Sequence, residues 1–269
     1  MQYIAPHSLD EAYRALEASD ARCLAGGQSL MAMMNLGLVA PSRLVSLRNI
    51  TSLRGIEVSA DGGLRIGAMT THAELAALEV AAAGPALLAA AARVVAYPAV
   101  RQWGTIGGSI AHADPSADYP VALVAVEAIV EIGSAAGVRQ VPAREFFCGF
   151  FETVLREREI VTAIHVPPGP KHGGAVYQKL SLVAGDFAIV AVAAIAGPRV
   201  SLAVGGYGPI PLLVSGIATT DDALLSAGHA LANATVPPGD HRASSAYRRR
   251  VLPELMRRAG RAAADQRPG

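Results

Sequence analysis

Two glycine pairs carry the chemistry that this sequence offers. Ala25-Gly26-Gly27-Gln28-Ser29 and Thr105-Ile106-Gly107-Gly108-Ser109 each place adjacent glycines before a small hydroxyl residue at the end of an apolar run. Lacking Cβ atoms, adjacent glycines let the backbone turn sharply and bring its N–H groups against a ligand. A series of N–H groups facing one concavity attracts anions, phosphate above all. Either pair alone also marks an ordinary turn. Two of one design suggest two walls around a single diphosphate-bearing ligand, with Ser29, Thr105 and Ser109 adding hydroxyl donors. No Gly-Lys-Ser/Thr follows the first pair, which excludes a nucleoside-triphosphate loop. No Gly-x-Gly-x-x-Gly opens a helix either, so the familiar dinucleotide fingerprint is missing.

The stretch after the second pair, Ser109 to Asp118, admits three readings. As metal ligands, His112, Asp114 and Asp118 have usable types but no recognised spacing. As a hydrolase elbow, Gly107-Gly108-Ser109-Ile110-Ala111 lacks the final glycine that the strained turn requires. As part of a nucleotide site, Asp118 accepts from ribose, ribityl or ring N–H groups, and His112 and Asp114 form wall or cap.

These residues need elements to position them. Arg22-Cys23-Leu24-Ala25 reads as a short strand that delivers the first glycine pair, and Leu30 to Leu38 as a helix whose Met31, Met33 and Met34 pack into a core. Arg43 to Leu47 completes a strand–loop–helix–strand unit. Ser8 with Glu11, and Thr71 with Glu74, have the capping-box form. Leu9, Ala12, Tyr13 and Leu16 share a helical face. Leu64 to Ala68 reads as a strand and Pro85 to Val95 as a buried helix. Asp118 is placed to cap a helix through the apolar run from Val121, with Pro120 near its start. Phe146, Phe147, Phe150 and Phe151 read as a small core. Pro167-Pro168-Gly169-Pro170 is the clearest break and the expected domain boundary. Beyond it, Ala188 to Ala196 is an apolar strand or buried helix, and Arg199 to Val204 a strand. Ala243 to Ala264 is a basic helix whose arginines form a solvated face or, as the alternative, a surface for an anionic partner.

The bulk composition agrees with a sizeable core: 269 residues, 52% apolar and 17% charged. A formal charge of +1 argues against nucleic acid, whose partners carry a strongly basic footprint. Cys23 and Cys148 are too few for a disulfide scaffold or a four-thiolate iron–sulfur cluster and read as buried small side chains. The first residues show no signal core and no apolar run spans a membrane, so the expected compartment is the cytoplasm.

Several ordered stretches together carry a resemblance. They are Leu24 to Leu30; Ile66-Gly67-Ala68-Met69-Thr70-Thr71-His72-Ala73-Glu74-Leu75; Gly104 to Ser109 with Ala113-Asp114-Pro115 and Asp118; Phe146-Phe147-x-Gly149 with Thr153-x-Leu155; and Tyr177-x-Lys179 with Gly185-Asp186-Phe187-Ala188. In this order they resemble the FAD-binding middle subunit of molybdenum hydroxylases, of the carbon monoxide dehydrogenase and xanthine dehydrogenase type. The resemblance implies an α+β chain: a PCMH-type FAD-binding domain over residues 1–170, with lobes of about 1–55 and 56–170, then a smaller domain over 171–269. It implies that Leu24, Ala25, Gly26, Gly27, Gln28, Ser29 and Leu30, with Thr105, Gly107, Gly108 and Ser109, hold the FAD diphosphate. By the same likeness His112 and Asp118 contact the cofactor, and Val161, Lys179 and Asp186 lie near the isoalloxazine. It further implies a [2Fe-2S] small subunit and a molybdopterin large subunit as partners, assembled as a dimer of heterotrimers. The chain would then be an oxidoreductase subunit that passes electrons and holds no acid–base residue of the substrate reaction. A non-redox module binding another nucleotide through the same loops is the alternative.

Overall fold

A computed structural model describes residues 1–266 of the chain. The chain opens with β1 (Gln2–Ile4), α1 (Leu9–Ala15), β2 (Ala21–Leu24), α2 (Leu30–Asn35) and β3 (Arg43–Ser46), whose strands form one sheet. All pairing in this sheet is parallel, with β3 between β1 and β2. Connections leaving the carboxyl ends of parallel strands gather on one edge, where ligands bind in open α/β sheets. The first glycine loop leaves β2 at that edge.

Next come β4 (Ile56–Val58), β5 (Leu64–Gly67), α3 (His72–Ala76), α4 (Ala83–Arg93), α5 (Pro98–Arg101), α6 (Ile106–His112), α7 (Asp118–Ala125), β6 (Ile129–Ser134), β7 (Gly137–Pro142), α8 (Ala143–Phe146), a small hairpin of β8 (Phe147–Gly149) with β9 (Glu152–Thr153), and β10 (Ile160–Val166). Five of these strands form an antiparallel sheet of order β4-β5-β10-β6-β7. The remaining strands, β11 (Gly174–Leu180), β12 (Val190–Ala196), β13 (Val200–Gly205) and β14 (Leu212–Ile217), form an antiparallel meander followed by α9 (Asp221–Ala234) and α10 (Ser245–Asp265).

Of the apolar run 188–196, residues 190–196 are strand β12, and the alternation of that strand explains why every residue in it is apolar. Successive side chains of a strand point to opposite faces. Ala191, Ala193 and Ile195 face the core that also holds Leu87, Leu88 and Val121 of α4 and α7. Val190, Val192 and Ala194 face Leu252, Met256 and Ala259 of α10. The meander is thus sandwiched between helices of two parts of the chain.

Several sequence expectations need correction. Helix α2 buries none of its residues, and Met31 is 39% exposed. Its apolar composition therefore reflects no core inside this chain. The Ser8 hydroxyl accepts from Glu11 N, but the Glu11 carboxylate reaches His7 N at 2.8 Å, so the box closes one residue early. Asp118 is the first residue of α7, and Ala117 holds the capping position without a side-chain bond. Phe146 and Phe147 enter the core while Phe150 and Phe151 stay exposed. Cys148 is exposed; Cys23 is partly covered, and burial pushes its thiol up to about 12. Within α10, Arg248 is buried: it donates to the carbonyls of Ile189 and Gly206 and pairs with Asp240 at 2.7 Å. A helix read as solvated thus sends one arginine inward as a staple.

Candidate functional site

The first glycine loop leaves four successive amides unspent. Among the described residues, the N–H groups of Gly26, Gly27, Gln28 and Ser29 donate to no acceptor, although the neighbouring Met31 and Met33 amides close onto Gly27 O and Ser29 O. Polar backbone groups that find no partner in the protein await water or a ligand. Gly27 has φ +74°, a left-handed conformation that an L side chain adopts only under strain. The Ser29 hydroxyl caps nothing in α2. No lysine or arginine occurs from Cys23 to Ser42, so these amides are the loop's means of meeting negative charge.

The second loop abuts the first. A Cβ on Gly26 would overlap the Trp103 carbonyl and stand 2.8 Å from Gly104 Cα; one on Gly108 would stand 3.3 Å from Ala25 Cβ. The absence of side chains at 26 and 108 is what lets the loops touch. The second loop spends most of its own amides. Ile106 N donates to Thr70 O at 3.0 Å, Gly107 N to Ala68 O at 2.9 Å, and Gly108 N to the Thr105 hydroxyl at 3.2 Å. Gly107 faces Ala68, whose carbonyl oxygen would lie 2.7 Å from any Cβ there. The first loop thus offers the free donors, and the second closes against it.

Thr105 is the N-cap of α6, and its hydroxyl accepts from Gly108 N. Replacing a capping threonine by alanine costs about 1 kcal/mol. Thr105→Ala is therefore expected to lower stability by about that amount, measured by urea denaturation, and to loosen the ligand without abolishing binding.

Asp118 and Lys179 form a separate cluster. Asp118 is 6% exposed; it accepts from Tyr177 Oη at 2.8 Å, and Lys179 Nζ lies 3.1 Å from its oxygens. Lys179 also donates to Val94 O at 2.7 Å. Burial raises the Asp118 carboxyl above its ordinary range, while Lys179 and Tyr177 pull it back. This cluster joins α7, β11 and the end of α4. Val161 lies in β10, buried, opposite Ile132. His112 sits at the far end of α6, its ring 5.2 Å from that of Phe151, and burial lowers its pKa. Asp186 accepts from Phe187 N at 2.7 Å in the loop between β11 and β12. The structure thus brings residues 25–29 and 103–109 together. The other named residues lie in distinct settings of their own.

Contacts that single-sequence reasoning did not assign complete the setting. Ala188 N donates to Ser116 O and Gly206 N to Pro115 O, so the C-terminal meander grips the loop after α6. Gly185 packs on Ala96: a Cβ there would stand 2.6 Å from its carbonyl. The Thr70-to-His72 segment bridges to the second loop. Its capping box was a visible signal, but its partner 34 residues on was not. Among the described residues no three His, Cys, Asp or Glu side chains are grouped to hold a metal ion, and no helix is long and apolar enough to cross a membrane.

Comparison with known proteins gives this geometry its context. Residues 1–169 match the family model for the FAD binding domain in molybdopterin dehydrogenase. The carbon monoxide dehydrogenase medium chain of Hydrogenophaga pseudoflava is 36% identical over 97% of this chain and 96% of its own length. The glyceraldehyde dehydrogenase medium chain of Sulfolobus acidocaldarius is 35% identical over 96% of both. Among solved structures, carbon monoxide dehydrogenase from H. pseudoflava superposes with a TM-score of 0.93 at 35% identity, covering 100% of this chain and 98% of the other. The likeness also extends to quinoline 2-oxidoreductase from Pseudomonas putida 86, with a TM-score of 0.91 at 31% identity, covering 98% of this chain and 97% of the other. Unspent amides, a side-chain-free contact between two loops, and full-length likeness to medium chains agree: the chain belongs to the family of FAD-binding medium subunits of molybdenum hydroxylases.

Proposed function

We propose that this chain carries electrons within a molybdenum hydroxylase, taking them from iron–sulfur clusters on a small subunit and delivering them to an external acceptor. The large subunit would hold the molybdopterin centre, and the assembly would be a cytoplasmic dimer of heterotrimers. In this reading residues 1–170 form the FAD-binding domain and 171–269 the C-terminal domain. Names such as medium chain, borne by relatives that match over nearly their whole length, support a place in a multi-subunit enzyme. FAD, when bound, supplies the exchange between one-electron and two-electron carriers, and the protein supplies position and electrostatics.

The observation that carries the proposal is the run of unspent amides from Gly26 to Ser29. They would grip the pyrophosphate, assisted by the Ser29 hydroxyl, with Leu24, Ala25 and Leu30 flanking them. Thr105, Gly107, Gly108 and Ser109 would form the opposite wall, more by shape than by donation, since their amides are largely engaged. Asp118 and Lys179 would hold the C-terminal domain against that wall. His112 and Asp118 remain expected cofactor contacts, and Val161, Lys179 and Asp186 the expected neighbours of the isoalloxazine.

The test uses the complex purified through a tag on this chain. Gly27→Val and Gly108→Val should each lower flavin occupancy at least tenfold, and electron delivery to the acceptor should fall in proportion. Full occupancy in both variants would refute the diphosphate placement. A flavin-free complex that still passes electrons at the wild-type rate would refute the electron-transfer role.

A further inference from the structure

The segment from Ala68 to His72 holds the second glycine loop in place. Residues Thr71 and Thr105 pair as an antiparallel bridge. Ile106 N donates to Thr70 O at 3.0 Å and His72 N to Gly104 O at 2.9 Å. From the other side the segment is fixed by α3, where Thr71 N donates to the Glu74 carboxylate at 2.7 Å and Glu74 N to the Thr71 hydroxyl. Backbone pairing alone would set the loop's register but not its height above the lobe.

The His72 ring packs against that loop. It is 5% exposed and lies beneath Gly104, where a Cβ would come within 2.6 Å of its Nε2. On the other side its Nδ1 shares a 3.0 Å hydrogen bond with the hydroxyl of Tyr119, a residue fully buried in α7. The two rings are 5.2 Å apart and tilted by 47°. Burial, assisted by the Arg101 charge, lowers the His72 pKa to about 4. The ring is therefore neutral at neutral pH and needs no counter-ion in this place. Close-packed interiors transmit small displacements, and the next contact outward is Gly104 Cα against Gly26. Gly26 begins the run of unspent amides.

We propose that His72 is a positioning residue of the cofactor site: wedged between Tyr119 and Gly104, it sets the second glycine loop against the first. This rests on the reading that the two loops hold the FAD diphosphate. Side-chain length provides the discriminating experiment. Asparagine places its amide near the Nδ1 position and can keep the bond to Tyr119, but it leaves the space beneath Gly104 empty. Glutamine reaches toward the Nε2 position and refills it.

The deflavinated complex would be titrated with FAD, with thermal midpoints recorded in parallel. His72→Asn should raise the FAD Kd about tenfold with little change in thermal midpoint, while His72→Gln should stay within about threefold of wild type. Equal affinity for the two variants, or losses that simply follow the thermal midpoint, would overturn the proposal. A second measurement adds Gly104→Ala, whose methyl meets the His72 ring. Shortening the ring in His72→Asn/Gly104→Ala should recover part of the affinity lost in Gly104→Ala alone, a coupling read as a double-mutant cycle. No recovery counts against the wedge. Gly108→Val in the same complex separates the two ideas: if it leaves FAD binding intact, the loop assignment itself fails.

Discussion

Gly26→Ala is expected to strip FAD from the protein with a single methyl group. The added Cβ would overlap the Trp103 carbonyl and crowd Gly104 Cα, and both are backbone atoms. A clash with a flexible side-chain end is relieved by a rotamer change, whereas this one requires a loop to move. The second loop cannot retreat easily, because Ile106, Gly107 and His72 tie it to Thr70, Ala68 and Gly104 through backbone hydrogen bonds. The first loop must then lift, carrying the unspent amides of residues 26–29 with it. Overpacking of this kind costs about 3 kcal/mol, or roughly a 150-fold rise in Kd. The measurement is flavin content of the purified complex, followed by FAD titration of the deflavinated form. Gly208→Ala is a suitable control: like Gly26 it lacks a positive φ, but the nearest neighbour of a Cβ there, the Ile210 carbonyl oxygen, lies at 3.9 Å, an ordinary contact distance. Retention of FAD by Gly26→Ala at wild-type affinity would mean that the loops do not need their mutual contact.

The contrast between these two glycines shows where the sequence was legible. Gly26-Gly27 and Gly107-Gly108 stand out because a missing Cβ has few uses, and close approach is one of them. What each glycine approaches could not be read, since Gly26 meets a carbonyl 77 residues away. Strands β2 and β3 and the apolar β12 were visible in local pattern. For β12, however, alternation between two helical layers left no polar face to distinguish strand from buried helix. Helix α2 shows the opposite limit. Its methionines have the composition of a core stripe, but periodicity describes one partner of a packing contact and says nothing of the other. Arg248 was hidden in the same way among the exposed arginines of α10, because the carbonyls of Ile189 and Gly206 that receive it come from distant turns. At the site, Thr71 and Glu74 were legible as a cap because both partners lie on one turn. Tyr119 under His72, and Lys179 against Asp118, depend on tertiary approach and leave no mark at short range.

Lys179→Met is expected to destabilise the chain by about 3–5 kcal/mol, because it removes one partner of a buried pair and leaves the other charged. The side chains of Asp118 and Lys179 are 7% and 5% exposed, so solvent offers little screening. Burial is the largest influence on Asp118 and raises its pKa above the ordinary value; Lys179 and the Tyr177 hydroxyl oppose it. A carboxyl whose folded pKa is raised favours the folded state at low pH, and that contribution is lost as pH rises through the folded pKa. Without Lys179 the folded pKa moves higher still. The defect should therefore be greatest at neutral pH and shrink as the medium is acidified toward the carboxyl range. Asp118→Asn/Lys179→Met removes both charges and should recover most of the loss, since a neutral amide can still meet Tyr177. Urea denaturation at several pH values, with both variants and wild type side by side, provides the check. If Lys179→Met is as stable as wild type at neutral pH, or if the double variant is no better than the single one, the pair is not what fastens the C-terminal meander to α7. The same result would separate Asp118 from any indirect hold on the second glycine loop, because the Asp118-to-Tyr177 bond and the Lys179-to-Val94 bond are the links on which that hold depends.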